Sequence, residues 1–311
     1  MKTQAQRIHQ YGSPEVIVLE DVELPRPGPL EALIDVRAAG VGPWDALVRT
    51  GRSGVPQPLP LTLGAELAGF VLDVGEDVVH LAAGVEVYGA TNARFVGAYA
   101  RHAIVDTGRM ARKPALVDFV QAATLPVVAV TAWTMLFERG GVTRGSRVLV
   151  HGAAGNVGAL ALQMAHAAGA IVTALGRPED ASYLRSLGAD VAGAYAGDAF
   201  DPPAEPVDLV IDTIGGEIQR QSFAALKPGG ALISVVQPPD QEAAAKYGVR
   251  ADFFIVDVST RVLEQVSAML AAKTIAPKVG LVLPFSDARR AHELLAKPQS
   301  GIRGKIVLSM T

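Results

Sequence analysis

The fold is decided by the stretch Ser146-Arg147-Val148-Leu149-Val150-His151-Gly152-Ala153-Ala154-Gly155-Asn156-Val157-Gly158. Its apolar run 148–150 is typical of a buried parallel strand. The small-residue turn that follows opens a helix whose apolar residues recur at i, i+3 and i+4. A second apolar run, 170–175, comes after the helix. This order of strand, glycine turn, helix and strand predicts a dinucleotide-binding unit.

The spacing of small residues in the turn supports this prediction. Ala153, Gly155 and Gly158 occupy the positions of G-x-G-x-x-G, with alanine in the first place. Gly155 would let a pyrophosphate approach the backbone, and Gly158 would let the helix pack closely on the strand. Unpaired N–H groups at the helix start would meet the phosphate charge. The alternative is a tight turn without a ligand, but the flanking elements favour a nucleotide contact by Ala153, Ala154, Gly155, Asn156, Val157 and Gly158.

Length and composition indicate two domains with a sizeable core. The chain has 311 residues, of which 50% are hydrophobic and 19% charged. A net charge of −3 without a Lys/Arg cluster predicts neither a nucleic-acid nor an anionic membrane partner. The absence of cysteine excludes disulfides, thiolate metal sites and a cysteine nucleophile. A polar N-terminus and the lack of a long apolar run predict a cytoplasmic protein.

The N-terminal third is predicted to be an all-β module, a partly open barrel with little helix. The proline-rich segment 25–29 can belong to neither a strand ladder nor a helix, so we expect a rigid connection there. The predicted strands are 16–22, 31–36, 67–74 and 99–105.

The rest of the chain is predicted to alternate strands with helices, which indicates a doubly wound parallel sheet covered by helices on both faces. Residues 304–308 form a last apolar run, which we expect to rejoin the β module as a strand. The predicted helices are 118–123, 129–139, 184–187, 223–226 and 261–272. The predicted strands are 190–192, 207–211, 231–236 and 253–258, with a turn at 227–230.

The chain resembles the zinc-independent medium-chain dehydrogenases/reductases of the quinone oxidoreductase type. The resemblance runs almost from end to end and is specific for the superfamily, but not for a substrate. The matching motifs are Gly40-Val41-Gly42-Pro43-Trp44-Asp45 with Arg49 and Gly51, Leu63-Gly64-Ala65-Glu66-Leu67-Ala68-Gly69, Val130-Thr131-Ala132-Trp133, the glycine turn, Leu187-Gly188-Ala189-Asp190, and Arg303-Gly304-Lys305-Ile306-Val307-Leu308.

The resemblance implies a Rossmann doubly wound parallel sheet plus a GroES-like β-barrel domain. We expect the GroES-like domain to span 1–122, completed by 260–311, and the Rossmann NADPH-binding domain to span 123–259. The nicotinamide would lie in the cleft between them. A homodimer is also implied, and the apolar run 253–258, read as an edge strand, favours pairing across a two-fold axis.

The residues predict an enzyme without zinc. Zinc-dependent relatives carry a cysteine just before the Asp45 region and a histidine between Gly64 and Glu66, where this chain has Gly42 and Ala65. The four-cysteine structural lobe of those relatives is missing too. The six histidines show no close ligand spacing, so each is predicted to be a surface or packing residue.

The absence of zinc narrows the expected reaction. Reduction of a plain carbonyl needs stabilisation of the developing alkoxide, which zinc supplies in related enzymes. We therefore predict hydride transfer from NADPH to a quinone or another conjugated carbonyl, with no catalytic residue assigned. One alternative is an enone or alkenal double-bond reductase with little quinone activity. A different alternative is a non-catalytic NADPH-binding sensor or structural protein.

Gly176 and Arg177, at the end of the second strand, are predicted to bind the cofactor, and Arg177 is predicted to favour NADPH. An NAD-specific site would carry an acid there, whereas Glu179 and Asp180 come later and more plausibly start the next helix. Arg177 could form a fork on a 2′-phosphate; the alternative is a solvated arginine. By resemblance, Tyr195 lines the same phosphate; the alternative is ordinary packing.

The remaining site residues rest on resemblance alone. For the cofactor they are Thr131, Thr213, Ile214, Val235, Val236, Phe254 and Ile255, of which the apolar ones could equally be sheet core.

The expected substrate pocket contains Gly42, Trp44 and Asp45. Asp45 could instead be a carboxylate that caps a helix start after Pro43. Gly42 replaces the usual asparagine, and Leu47 stands where many members carry tyrosine, so the sequence does not specify a quinone as the acceptor. Glu66 is expected to be structural rather than catalytic.

Overall fold

The computed structural model describes residues 1–55, 57–297 and 301–310. The strands are β1 (Lys2–Ile8), β2 (Val18–Glu23), β3 (Glu31–Val41), β4 (Leu61–Thr62), β5 (Glu66–Val74), β6 (Glu86–Ala90), β7 (His102–Asp106), β8 (Met110–Arg112), β9 (Arg147–His151), β10 (Ile171–Gly176), β11 (Val191–Ala196), β12 (Ala199–Phe200), β13 (Val207–Asp212), β14 (Leu226–Ser234), β15 (Arg250–Phe253), β16 (Val279–Pro284) and β17 (Lys305–Ser309). The helices are α1 (Pro43–Arg49), α2 (Phe119–Ala122), α3 (Pro126–Trp133), α4 (Asn156–Ala167), α5 (Ala181–Ser186), α6 (Gly216–Ser222), α7 (Gln241–Tyr247), α8 (Thr260–Ala271) and α9 (Ala288–Leu295). A π-helical turn, Thr134–Arg139, continues α3.

The chain forms two compact units. Unit 1 consists of Met1–Val127, Asp257–Ala271 and Pro277–Thr311, and unit 2 of Val128–Val256 and Ala272–Ala276. The predicted ranges 1–122 with 260–311 and 123–259 stay predictions as functional domains.

Unit 2 contains the doubly wound parallel sheet that the sequence predicts. Its strand order is β12-β11-β10-β9-β13-β14-β15, and only the β11–β12 pair is antiparallel among the described pairings. The strand order reverses at β9, since β10 lies on one side of it and β13 on the other. The apolar side chains of β9 are fully buried because both faces of a doubly wound sheet are covered.

Unit 1 contains the β module and its C-terminal completion. One sheet has the order β2-β1-β4, and another has the order β16-β17-β3-β5-β6-β8, with β7 also paired to β3. β17 pairs antiparallel with β3, with Ile306 opposite Val41, which confirms the expected return of the last strand. β16 lies parallel to β17 on its other side.

Several predicted boundaries are wrong for local reasons. The predicted strand 16–22 begins later, because Pro14–Val16 forms a 3₁₀ turn before β2. The predicted turn 227–230 lies inside β14, where an irregularity in its pairing with β13 accommodates the Pro-Gly-Gly segment. Residues 223–225 form a 3₁₀ turn that follows α6.

The predicted strand 253–258 is also wrong in its extent. The strand observed in this region is β15, which ends at Phe253. β15 is short and bears the charged residues Arg250 and Asp252, a composition that discourages pairing between sheet edges. The apolar edge strand proposed as a dimer contact is therefore not present. Sequence analysis also missed β16 and α9.

Candidate functional site

The glycine turn has the geometry of a close strand-to-helix junction. Gly152 adopts a positive φ of 65°, and the amide of Gly155 donates to the carbonyl oxygen of Gly152 at 2.9 Å. A Cβ at Gly158 would overlap that same oxygen and lie 2.8 Å from Ala153 Cα. Only glycine therefore lets α4 begin so close to β9. A Cβ at Gly155 would meet one atom within 4 Å, the Gly152 oxygen at 3.2 Å, so this position is tight but less crowded than Gly158.

The N-terminus of α4 is suited to an anion. Gly155 is its N-cap, and no side chain caps the helix. The N–H groups of the first turn have no acceptor within a helix, and their partial positive charge favours a phosphate. The turn and the helix start thus fit a dinucleotide pyrophosphate.

The other predicted cofactor residues follow the carboxyl ends of neighbouring parallel strands, which places them at one edge of the sheet. Gly176 ends β10, and the segments after β13, β14 and β15 supply the rest. Three aliphatic side chains in these segments are about half exposed: Ile214 at 49%, Val236 at 46% and Ile255 at 47%. Exposed aliphatic groups clustered at such an edge are typical of a ligand surface.

Some predicted cofactor residues have a different setting. Phe254 is buried just after β15, and the guanidinium of Arg139 lies 4.6 Å from its ring centroid. Its contact with the cofactor stays a prediction. Thr131 is buried on α3. Val235 is half-buried immediately after β14.

A buried carboxylate that sequence analysis did not assign holds the loop after β13. Asp212 accepts hydrogen bonds from the amides of Ile214 at 3.0 Å and Gly215 at 2.8 Å. The Ser234 hydroxyl and the Gln219 amide donate to its other oxygen, both at 2.8 Å. The sequence feature that could have revealed Asp212 is its place as an acid directly after the apolar run 207–211. Asp212 therefore fixes the backbone at the predicted adenosine contacts.

Tyr195 contacts the glycine turn directly. Its hydroxyl accepts the Gly152 amide at 2.8 Å and lies 3.3 Å from His151 Nδ1. His151 Nε2 lies 2.8 Å from the Ser222 hydroxyl, which donates to the Ile218 carbonyl at 2.6 Å. Burial lowers the pKa of His151 to about 4, so its imidazole is neutral. His151 is thus an interior packing residue, and the Tyr195 hydroxyl supports the turn.

Arg177 is exposed at the end of β10, where a 2′-phosphate contact was predicted. Its backbone amide donates to Asp180 Oδ2 at 3.1 Å. Asp180 is buried and precedes α5, as expected for an acid that starts the next helix.

In unit 1, the side chain of Asp45 lies in the interior. Gly42 is the N-cap of α1, and its amide donates to Asp45 Oδ2 at 2.8 Å. Asp45 is 2% exposed. The helix-capping alternative for Asp45 therefore describes its contacts, and the structure shows no open face of the carboxylate toward a substrate.

Next to Asp45 lies a buried ion pair between Glu66 and Lys305. Glu66 Oε2 also accepts the amide of Val127 at 2.8 Å. A Cβ at Gly42 would meet Lys305 Nζ at 3.0 Å, so glycine at this position leaves room for the ammonium. The structural role expected for Glu66 agrees with these contacts. Sequence analysis assigned no role to Lys305. The feature that could have revealed it is a lone lysine at the start of an apolar strand.

The Asp45 carboxyl is unusually weakly acidic. Burial raises its pKa from 3.8 to about 7, and the charge of Glu66 adds to the rise, whereas the Gly42 amide and Lys305 oppose it. At neutral pH a large fraction of the carboxyl is therefore protonated. Burial beside Asp45 also raises the pKa of the Tyr99 phenol well above its usual value.

We expect the substitution Asp45→Asn to flatten the pH dependence of stability. Because the pKa of Asp45 is higher in the folded than in the unfolded protein, the protonated carboxyl contributes its full stabilisation of the fold below pH 3.8. This contribution is lost as the pH rises to about 7. Between about pH 5 and pH 8 the wild type should lose about 2–3 kcal/mol of unfolding free energy relative to the variant. Urea unfolding at the two pH values measures this difference. Parallel losses in the two proteins would contradict it.

Trp44, on α1, is half-buried, and its ring packs edge-on against Phe95 with centroids 5.7 Å apart. A separate cavity of about 340 Å³ lies within unit 1. The predicted pocket residues Gly42, Trp44 and Asp45 do not line this cavity. Its walls are Arg7, Gln57, Pro58, Leu59, Pro60, Leu61, Thr62, Arg94, Val96 and Gly97.

Within residues 1–55, 57–297 and 301–310, no cluster of three or more His, Asp or Glu side chains is arranged to hold a metal ion. In the same ranges, no helix has the length and apolarity needed to cross a membrane.

Comparison with known proteins places this fold among described families. Residues 28–115 match the alcohol dehydrogenase GroES-like domain, and residues 187–308 match a zinc-binding dehydrogenase domain. The chain is 32% identical to the chloroplastic NADPH-dependent alkenal/one oxidoreductase of Arabidopsis thaliana, over 96% of this chain and 77% of the relative.

Two solved structures extend the comparison. The quinone oxidoreductase of Coxiella burnetii is 28% identical, with a TM-score of 0.90 over the full length of both chains. A mycobacterial protein complexed with NADPH is also 28% identical, with a TM-score of 0.85 over 99% of both chains.

A GroES-like unit and a doubly wound sheet with a glycine turn define a class of dehydrogenases and reductases. Within that class, the chain belongs to the medium-chain dehydrogenase/reductase family, quinone oxidoreductase type. The resemblance to this family and type seen in the sequence is thereby confirmed, and zinc independence stays a prediction.

Proposed function

We propose that this protein is an NADPH-dependent oxidoreductase that transfers hydride to a quinone or another conjugated carbonyl compound without a metal ion. The observation that carries the proposal is the uncapped start of α4 at the Gly152–Gly158 turn, beside half-exposed aliphatic residues at the same sheet edge. The names of the relatives support it, since they include an NADPH-dependent alkenal/one oxidoreductase and a quinone oxidoreductase.

The chain's own residues would bind and orient the cofactor. The first turn of α4 would hold the pyrophosphate, and the loop fixed by Asp212 would border the adenosine ribose. Bound NADPH would supply a hydride from C4 of its nicotinamide. Ile214, Val236 and Ile255 offer an apolar surface that excludes water from bound groups.

A conjugated acceptor suits this site because it spreads the incoming electron pair by itself. A quinone becomes a delocalised phenolate and an enone becomes an enolate, so neither needs a metal to stabilise an alkoxide. The proposal of a metal-free reaction rests on the donors of this chain. It has no cysteine, and Gly42 and Ala65 stand at two positions where zinc-dependent relatives carry ligands.

The cofactor preference gives a direct prediction for Arg177. We expect Arg177→Ala to weaken NADPH binding about ten- to hundredfold, because a charge-assisted contact to the 2′-phosphate is lost. NADH binding should hardly change. Titration of both nucleotides by fluorescence measures the two dissociation constants.

Arg185→Ala provides a matched control, since Arg185 is also exposed but lies in α5. It should leave both dissociation constants unchanged. Equal losses of NADPH and NADH affinity in Arg177→Ala would contradict the assignment of Arg177 as the contact to the 2′-phosphate.

The second candidate is an enone or alkenal reductase with little quinone activity. Gly42 and Leu47 favour it, because they replace polar side chains that many quinone reductases carry. Turnover of a quinone, an enone and an alkenal under the same conditions ranks the acceptors. A non-catalytic NADPH-binding protein would consume NADPH with none of them.

A homodimer and a cytoplasmic location are also part of the proposal. The homodimer rests on the family resemblance alone, because β15 is short and charged at the sheet edge. The relatives named above include a chloroplastic protein, so location varies within the family.

A further inference from the structure

Phe95 has a backbone conformation that a bulky side chain rarely adopts. Its φ is +56°, in the left-handed region where glycine and asparagine are favoured. The side chain is nevertheless 4% exposed, so the ring is inside the protein. Such conformations persist only where the surrounding structure enforces them, and they cluster at functional sites.

The loop around Phe95 is held by the side chain of Asn92. The amide nitrogen of Asn92 donates to the Val96 carbonyl at 2.7 Å, and its oxygen accepts the Arg94 amide at 3.0 Å. The Phe95 amide donates to the Asn92 carbonyl at 3.0 Å. The loop start is tied to the residue that precedes β5 through the Thr91 amide, which donates to the Ala65 carbonyl at 3.1 Å. These bonds enforce the positive φ and direct the ring inward.

The Phe95 ring contacts the indole of Trp44. The centroids are 5.7 Å apart and the planes meet at 72°, an edge-to-face arrangement. The Trp44 Nε1 atom is buried and has no hydrogen-bond acceptor among the described residues. The indole packs against the apolar core of unit 1, and Phe95 supplies an aromatic edge contact to it.

We propose that Phe95 is a positioning residue that holds the Trp44 indole as a wall of the acceptor pocket, and that this wall favours planar conjugated acceptors. The inference rests on the proposed function, because it assumes that Trp44 borders the acceptor. A flat aromatic or quinonoid ring would stack on the indole, whereas a short aliphatic enal would gain little from it.

The test uses the fact that the chain contains two tryptophans, Trp44 and Trp133. In a Trp133→Phe background, fluorescence reports on Trp44 alone. Phe95→Leu removes the aromatic edge. We expect it to raise KM for a planar aryl enone or naphthoquinone roughly three- to tenfold. The kcat should stay within about twofold, and KM for a short aliphatic enal should hardly change.

Two variants serve as controls. Phe95→Tyr keeps the ring and should retain the wild-type KM and the emission maximum of Trp44. Among the residues that the structure describes, Lys273 is the other non-glycine residue with a positive φ, 57°, and it is exposed. Lys273→Gly removes that backbone strain. It should leave KM for every acceptor unchanged, which separates a specific role of Phe95 from a general effect of backbone strain.

The proposal is overturned if Phe95→Leu, folded by circular dichroism, keeps both the Trp44 emission and the planar-acceptor KM of the wild type. It is also overturned if Phe95→Leu raises KM for planar and aliphatic acceptors by the same factor. Absence of NADPH oxidation by the wild type with any acceptor would contradict the proposed function instead. The role of Phe95 would then be decided by Trp44 emission, which Phe95→Leu must shift and Phe95→Tyr must preserve.

Discussion

Replacing Lys305 by methionine is expected to lower the free energy of unfolding by about 3–5 kcal/mol, since removal of one partner leaves a buried charge uncompensated. Lys305 and Glu66 form an ion pair in which both side chains are at least 96% buried, and Asp45 lies close to the same ammonium. Without Lys305, the two carboxyl groups would face each other without a cation. Urea unfolding at neutral pH measures the loss.

Two further variants make this prediction specific. Lys227→Met removes an ion pair with Asp208, but the Lys227 side chain is 51% exposed, so the change should cost less than about 1 kcal/mol. Adding Glu66→Gln to Lys305→Met removes the uncompensated charge and should restore part of the stability. A Lys305→Met protein as stable as the Lys227→Met protein would contradict a charged buried pair.

Replacing Gly158 by alanine is expected to weaken NADPH binding about 100-fold. The added methyl group overlaps the Gly152 oxygen and must push α4 away from the strand end, an overpacking that costs about 1–3 kcal/mol. The N–H groups of the first helical turn then leave the pyrophosphate position. The melting temperature should fall as well, because the clash is with backbone that cannot rotate away.

Gly155→Ala is the matched variant. Its Cβ would meet only the Gly152 oxygen, at 3.2 Å, so the melting temperature should fall less than in Gly158→Ala. NADPH binding should still weaken if the pyrophosphate passes over this position. Unchanged NADPH binding by Gly158→Ala would contradict the assignment of this turn as the nucleotide site.

The parts of the fold that were predicted from sequence have local signals. The glycine turn is one, because helix periodicity and small residues at fixed spacing occur within about thirty residues. The parallel strands β9, β10 and β13 are apolar and short, and they were recognised. The return of β17 to the β module was expected because the doubly wound sheet was already complete without it.

The parts that were missed depend on long-range contacts. The Pro-Gly-Gly segment after Lys227 has the composition of a turn, but β14 pairs with β13 on both sides of it, at Leu226 and again from Ala231, so the segment is an irregularity within the strand. Sequence spacing did not show that Lys305 would meet Glu66, 239 positions earlier. The φ of Phe95 depends on Asn92 and on the anchoring of the loop to Ala65, which no periodicity reveals.

The most direct test of the account follows deuterium from C4-labelled NADPH in protein freed of metal by chelation. We predict that a quinone or an enone oxidises NADPH at the rate seen with the untreated protein. With an enone, the deuterium should be found on the β-carbon. Simple alcohols should be poor substrates in the reverse direction. Loss of activity on chelation with recovery on adding zinc, or preferential oxidation of a simple alcohol, would contradict hydride transfer without a metal.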